Sequence, residues 1–259
     1  MELYDYATKI ISEIKKGYFW LRPYLEKGDY ETRRRDIFKT YEDDFVRYFP
    51  QEEINLFKRS LAAVADHVGS PSKDTQVVRN DAPGYKKVAG IFSRLEKWKL
   101  IIKCEQIGLS PEHNKHAPKR YLYDVGVLCD LRLRGLHQIS VTQLDQPSLR
   151  VPLGGIVENA VALSLENQFR DQLFGIRLSQ NSEIDFAIKH NNVVTPIECK
   201  MALRFKGNFL MSVVEYLKKT KAKNPGYLFY GGPPLKKPVA GCYIMPYYFC
   251  DAVKRWIEG

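Results

Sequence analysis

No apolar run in the 259-residue chain approaches the roughly 18 residues that a membrane-spanning helix needs. The first residues, Met1-Glu2-Leu3-Tyr4-Asp5, are acidic and have no signal-peptide core. A cytoplasmic protein with no membrane partner is the expectation. Cysteine is sparse: Cys104, Cys129, Cys199, Cys242 and Cys250 are scattered, odd in number and never spaced C-x-x-C. That argues against a zinc site and a disulfide framework, and for reduced thiols. The phosphate loop G-x-x-x-x-G-K-[ST] is missing too. Gly231-Gly232-Pro233-Pro234-Leu235-Lys236-Lys237 lacks its spacing, and the two prolines remove backbone N–H donors that a phosphate would need.

What is present suits a globular protein with ample core: 44% apolar residues and a mean hydropathy of −0.35. The net charge of +10 is uneven. Residues 1–48 are neutral overall, while 49–150 and 151–259 each carry +5. The excess therefore lies in the two segments able to meet nucleic acid, although many proteins with such an excess bind none.

Residues 1–48 read as a helical segment. Tyr4, Ala7, Ile10, Ile11 and Ile14 form an amphipathic stripe, Gly28-Asp29 breaks it, and a second helix runs from about Tyr30 through Phe45. Arg33-Arg34-Arg35 within it reads as a solvated face among nearby acids. Residues 49–150 read as a winged-helix-like domain and linker. Pro50 opens a helix carrying Ile54, Phe57, Leu61, Val64 and Ala65, and a short helix follows around Thr75–Arg79. After the turn Asp81-Ala82-Pro83-Gly84 comes a helix burying Val88, Ile91, Phe92 and Leu95. A strand at Leu100–Cys104, a polar wing over 106–118 and a returning strand at Arg120–Tyr123 complete the plan. The helix at 85–97 takes the recognition position, and Lys86, Lys87, Arg94 and Lys97 on it are candidate DNA contacts. His113 and His116 in the wing read as polar surface. Residues 125–151 read as a linker with one short helix.

Residues 151–259 begin with Gly154-Gly155 before a helix from Ile156 to about Leu173, with Glu158 near its start. A strand near Gly175–Ser179 leads to two apolar-alternating runs around His190-Asn191-Asn192-Val193. Asparagine tolerates positive φ, so Asn191-Asn192 suits a two-residue hairpin turn. His190 then faces Val193, and Asp185 falls opposite Glu198. Asp185, Ala187, Val194, Pro196, Glu198 and Lys200 share one face. Ile184, Phe186, Ile188, Ile197 and Cys199 share the other, a core face. In this register Glu183 faces Lys200. Two opposed carboxylates about 5 Å apart repel unless a cation sits between them. A Mg²⁺ ion, with hard oxygen ligands, fits that demand. Lys200 could orient or help deprotonate a metal-bound water, or offset charge building on a phosphate. Arg204 and Lys206 follow, basic and close to this pair. A helix over about Asn208–Thr220, strands at Tyr227–Tyr230 and Gly241–Met245, and a helix over Asp251–Glu258 end the chain.

The order Ile184-Asp185, then Glu198-Cys199-Lys200, with Glu158 on the preceding helix, resembles the PD-(D/E)xK nuclease superfamily; the proline of its name is absent here. More closely, the chain from about Tyr41 onward resembles the C-terminal region of prokaryotic AAA-type ATPases carrying a nuclease-like domain of unknown function. The matching pieces are Lys119-Arg120-Tyr121-Leu122-Tyr123-Asp124-Val125-Gly126, Gly155-Ile156-Val157-Glu158-Asn159-Ala160-Val161, Ser182-Glu183-Ile184-Asp185-Phe186 and Pro196-Ile197-Glu198-Cys199-Lys200. The resemblance implies an α/β (α+β) chain: a helical and winged-helix N-terminal region, then a restriction-endonuclease-like mixed-sheet αβββαβ domain. It implies a Mg²⁺-dependent (Mn²⁺ as surrogate) DNA phosphodiesterase. Asp185 and Glu198 would be metal ligands, Glu158 a support of the metal or its water, and Lys200 the lysine that positions water and stabilises the phosphate. The ATPase module is missing, which leaves open an ATPase acting in trans, one lost, or one removed. Two other classes stay open: a catalytically inactive adaptor in the nuclease fold, and a winged-helix DNA-binding regulator.

Overall fold

A computed structural model describes residues 30–74, 85–109, 116–133 and 147–258. The expected helix at residues 4–14, the short helix at 75–79, the turn at 81–84 and His113 lie outside these residues. The elements are α1 (Tyr30–Tyr48), α2 (Gln51–Asp66), α3 (Tyr85–Lys97), β1 (Ile101–Cys104), β2 (Gln106–Gly108), β3 (Lys119–Leu122), α4 (Val125–Leu133), α5 (Pro147–Phe169), β4 (Leu173–Ser179), β5 (Ser182–His190), β6 (Val193–Lys200), α6 (Met211–Thr220), β7 (Gly226–Tyr230), β8 (Cys242–Pro246) and α7 (Val253–Ile257). The fold is α/β, as expected. From α5 onward the order α-β-β-β-α-β-β matches the sequence reading. No described helix is long and apolar enough to cross a membrane.

Pro50, at φ −56° and ψ 143°, starts α2 in the extended conformation a helix entry requires. Phe57, Leu61, Val64 and Ala65 of α2 are buried, as are Val88, Ile91, Phe92 and Leu95 of α3. Each such large apolar side chain contributes roughly 1.5–3 kcal/mol on burial. β1 and β3 form an antiparallel pair, Ile101 opposite Leu122 and Cys104 opposite Lys119. Both strands were legible as such. The intervening wing departs from expectation, because β2 lies within it and leaves β1 and β3 to join the main sheet.

That sheet has the order β2-β4-β5-β6-β7-β8. β2 runs parallel to β4, the β4-β5-β6 meander is antiparallel, and β6-β7-β8 are parallel. Gly175 makes room for β2: a side chain there would place Cβ 2.0 Å from Gln106 Nε2. Both faces are covered. Phe186, Ile188, Ile197 and Phe229 pack into the cluster that includes α2, α3 and α5. Ile184, Ala187, Leu228 and Ile244 join Val213 of α6 on the opposite side.

The hairpin turn forms as read. Asn191 and Asn192 both have positive φ, 48° and 62°, and the ladder runs from His190–Val193 to Phe186–Ile197. Continued by one step, it sets Asp185 opposite Glu198. One correction follows from β4. The pairing Phe174–Ala187 is succeeded by Ile176–Ile184, so β5 bulges by one residue at Asp185-Phe186. Ile184 thereby moves out of the face shared by Phe186 and Ile188. A bulge re-aims side chains, and this one lies at the predicted catalytic aspartate. The second correction is α5, which starts at Pro147 rather than Ile156. Gly154 and Gly155 are helical, and Gly155 is a packing residue: a Cβ there would lie 2.7 Å from Val68 Cγ1.

Candidate active site

Four elements converge at the β5 bulge: β3, α5, β5 and the end of β6. Asp185 and Glu198 are 7% and 4% exposed. Asp185 Oδ2 accepts the Cys199 backbone N–H at 3.0 Å. Its Oδ1 accepts from Lys119 Nζ, also at 3.0 Å. Lys200 Nζ bonds Glu198 Oε1 and lies 3.9 Å from Asp185 Oδ2. With 37% of its side chain exposed, Lys200 forms the open rim of the cluster. Glu198 Oε2 is buried with no hydrogen-bond partner among the described residues.

Glu158 stands about three turns into α5, so the helix dipole of a first turn does not account for it. Its Oε1 accepts from Lys119 Nζ at 3.1 Å and from the Tyr121 hydroxyl at 2.7 Å. Its Oε2 lies against Gly69, where a Cβ would approach within 2.6 Å. Glu183 does not face Lys200 as an ion pair. Its carboxylate bridges Lys119 Nζ at 3.0 Å and Arg177 Nη1 at 2.6 Å.

The electrostatics follow from this packing. Burial and the neighbouring Asp185 charge push the Glu198 carboxyl up to about 8, with Lys200 opposing. Burial and Asp185 likewise push Glu158 up to about 7 against Lys119 and Tyr121. Burial also works against the charge of Asp185, but Lys119, Lys200 and the Cys199 N–H outweigh it and hold that carboxyl below its ordinary range. Burial alone would discharge Lys119, yet Asp185, Glu158 and Glu183 hold its ammonium well above the ordinary lysine range. Lys200 is raised too, with Asp185 and Glu198 overcoming its own desolvation.

The geometry thus brings together all four predicted residues, Asp185, Glu198, Lys200 and Glu158. As metal donors they differ. Asp185 and Glu198 are hard oxygen ligands, and Glu198 Oε2 has no donor among the described residues, so this pair fits a Mg²⁺ ion. Glu158 fits less well, since its carboxylate is taken up by Lys119 and Tyr121. Among the described residues, no group of three or more His, Cys, Asp or Glu side chains is arranged to hold a metal.

The predicted nucleic-acid contacts separate into two sets. Lys86, Lys87 and Lys97 on α3 are exposed, as are Arg204 and Lys206 after β6. Arg94 is committed elsewhere, bonding Glu53 Oε2 of α2 at 2.5 Å and lying 4.2 Å over the Phe49 ring. Sequence reasoning gave Lys119, Tyr121 and Glu183 no part in the site. The overlooked signal was a Lys-Arg pair set among aromatics in a short strand: all four residues of β3 are buried. Arg120 is held by Ser72 O at 2.6 Å and by Asp74.

Fold and site together define an α/β protein with a buried carboxylate–lysine cluster at a strand bulge. Residues 153–246 match the model of a domain of unknown function, DUF4143, a domain found in AAA-ATPase-associated proteins. Residues 21–139 match that of another domain of unknown function, DUF8612. No curated protein and no solved structure matches the chain.

Proposed function

We propose that this chain is a metal-dependent DNA phosphodiesterase of the PD-(D/E)xK type, working with an ATPase. The observation that carries the reading is Glu198 Oε2, an unpartnered buried carboxylate oxygen beside Asp185, with Lys200 at the exposed rim. Asp185 and Glu198 would hold one Mg²⁺, which when bound supplies Lewis acidity and a water of lowered pKa. Asp185 is fixed for this by the Cys199 N–H and Lys119. Lys200 is kept protonated by its two carboxylate neighbours, so it contributes charge toward a phosphate rather than proton abstraction. The resemblance to nuclease-like domains and the match to a domain found in AAA-ATPase-associated proteins support the same reading.

The test is Mn²⁺ calorimetry on wild type beside Asp185→Ala/Glu198→Ala, with a nicking assay on supercoiled DNA. Binding and nicking that both vanish in the double variant are expected. A wild type that binds no Mn²⁺ overturns the reading. It would favour the second one, an inactive adaptor, which has its own supporting observation: Lys119 already compensates three of the carboxylates.

The α3 surface is read as the DNA-facing helix of a winged helix. Lys86→Ala/Lys87→Ala is expected to weaken DNA binding and to flatten its log–log salt slope by about 2, leaving the unfolding midpoint unchanged. Arg94→Ala is expected to do the reverse, lowering stability by about 1–2 kcal/mol through loss of Glu53 and Phe49 contacts. An unaltered salt slope in the lysine variant would remove α3 from the interface.

A further inference from the structure

We infer that Lys119 is the resident cation of this site, a positioning residue that limits the cluster to a single divalent ion. The inference extends the metal-dependent reading above. A lysine ammonium has three protons and no acceptor. Around Lys119 Nζ stand three carboxylate oxygens: Glu158 Oε1 at 3.1 Å, Glu183 Oε1 at 3.0 Å and Asp185 Oδ1 at 3.0 Å. Nζ donates hydrogen bonds to Glu158 and Asp185, and Glu183 adds a third negative charge at ion-pair distance. The side chain is 1% exposed, so water has no share in this balance.

The charge count leads to the same limit. Counted as ionised, Glu158, Glu183, Asp185 and Glu198 face Lys119, Lys200 and Arg177, leaving one negative charge. One divalent ion reverses that sign, and a second would leave a strong positive excess in a desolvated place, which is costly. Lys119 therefore stands where a second metal would otherwise draw Glu158, Glu183 and Asp185 together.

Its origin adds to the inference. Lys119 sits on β3, inside the 21–139 match, whereas the three carboxylates belong to the 153–246 match. The cation of one region completes the acidic cluster of the other.

The experiment uses the full chain. Lys119→Met removes the charge with little change in length. Mn²⁺ calorimetry and Mn²⁺-dependent thermal shift are run on this variant, on wild type and on Lys119→Arg. The expected result is one ion in wild type and in Lys119→Arg, but two in Lys119→Met, with a larger Mn²⁺-induced rise of the unfolding midpoint. Equal stoichiometry and an equal rise in Lys119→Met and wild type overturn the inference, and so does a wild type binding two ions. Should Lys119→Met fail to fold, Lys119→Met/Glu183→Gln relieves part of the repulsion, and the same gain of one ion is required of it. A wild type that binds no ion overturns the nuclease reading alone. The gain of an ion on losing Lys119 then still decides the present inference.

Discussion

Asn159→Leu should lower the unfolding midpoint by roughly 5–15 °C, the consequence of losing about 2–5 kcal/mol. Asn159 is fully buried on α5, one residue beyond Glu158. Its Oδ1 accepts the Leu122 backbone N–H at 2.7 Å, and its Nδ2 donates to the Leu122 carbonyl at 2.8 Å. Among the described residues β3 pairs with β1 alone in a two-stranded ribbon, and the Asn159 amide closes its other edge as a short length of strand would. Leucine matches the volume but leaves a buried N–H and C=O unmade, each costing about 1–3 kcal/mol. Asn159→Asp keeps the acceptor, loses the donor and sets a second charge beside Glu158, so it should also destabilise. Because Leu122 sits on the strand that carries Lys119 and Tyr121, both variants should loosen the site as well. Chemical denaturation with an unchanged slope would show that stability, not compactness, had altered. A midpoint within 1–2 °C of wild type would mean that water replaces the amide and that the clasp carries little.

In the absence of divalent ions, the chain should become less stable as pH rises from about 5 to about 8. The sign follows from Glu198 and Glu158, whose folded values, about 8 and about 7, lie above an unfolded value near 4.5. Between those limits the folded chain binds more protons than the unfolded one, so raising the pH pulls toward unfolding. Below about pH 4.5 both states hold the protons and the difference disappears. Asp185 acts in the opposite sense: it lies below its ordinary range, and its stabilising share is lost only at acid pH, outside this window. Lys119, raised above its ordinary value, contributes throughout. Because the two glutamates are coupled through Asp185, the fall should amount to a few kcal/mol, well below the sum of their separate shifts. Glu198→Gln should remove the larger share of it. Thermal unfolding in chelator from pH 5 to 8.5 measures the slope. A flat profile in wild type would show that both glutamates stay at ordinary carboxylate values.

The hairpin and its turn were legible because local chemistry decides them: Asn191 and Asn192 tolerate positive φ, and the flanking runs alternate with period two. The bulge was not. Ile184-Asp185-Phe186 alternates like a straight strand, and the extra residue is set by pairing with β4, which no local pattern encodes. Gly154 and Gly155 misled for a related reason. Glycine pairs usually mark a boundary, but here Gly155 admits Val68 against α5. β2 comprises only Gln106, Ile107 and Gly108, too short and too polar to announce a strand. Asp185, Glu198 and Lys200 were readable from the hairpin register on β5 and β6, whereas Glu158 on α5 entered through the resemblance to the nuclease superfamily. Lys119 was not readable, since a charged strand residue reads as solvent-facing until its carboxylate partners, 39 to 66 residues away, are known. The pairing of Arg94 was equally hidden: its partner Glu53 is 41 residues distant, and an arginine on a basic helix reads as a groove contact.

The small strand β2 has a bearing on how this chain can be divided. It supplies the last backbone ladder beside β4, so the sheet whose other strands all lie in the 153–246 match is finished by residues from the other match. A fragment beginning at residue 151 would carry β4 as a bare edge, a template for strand addition between copies, and its acidic cluster would be short of an ammonium. Truncation at the seam between the two matches would therefore yield an aggregation-prone half rather than a portable module.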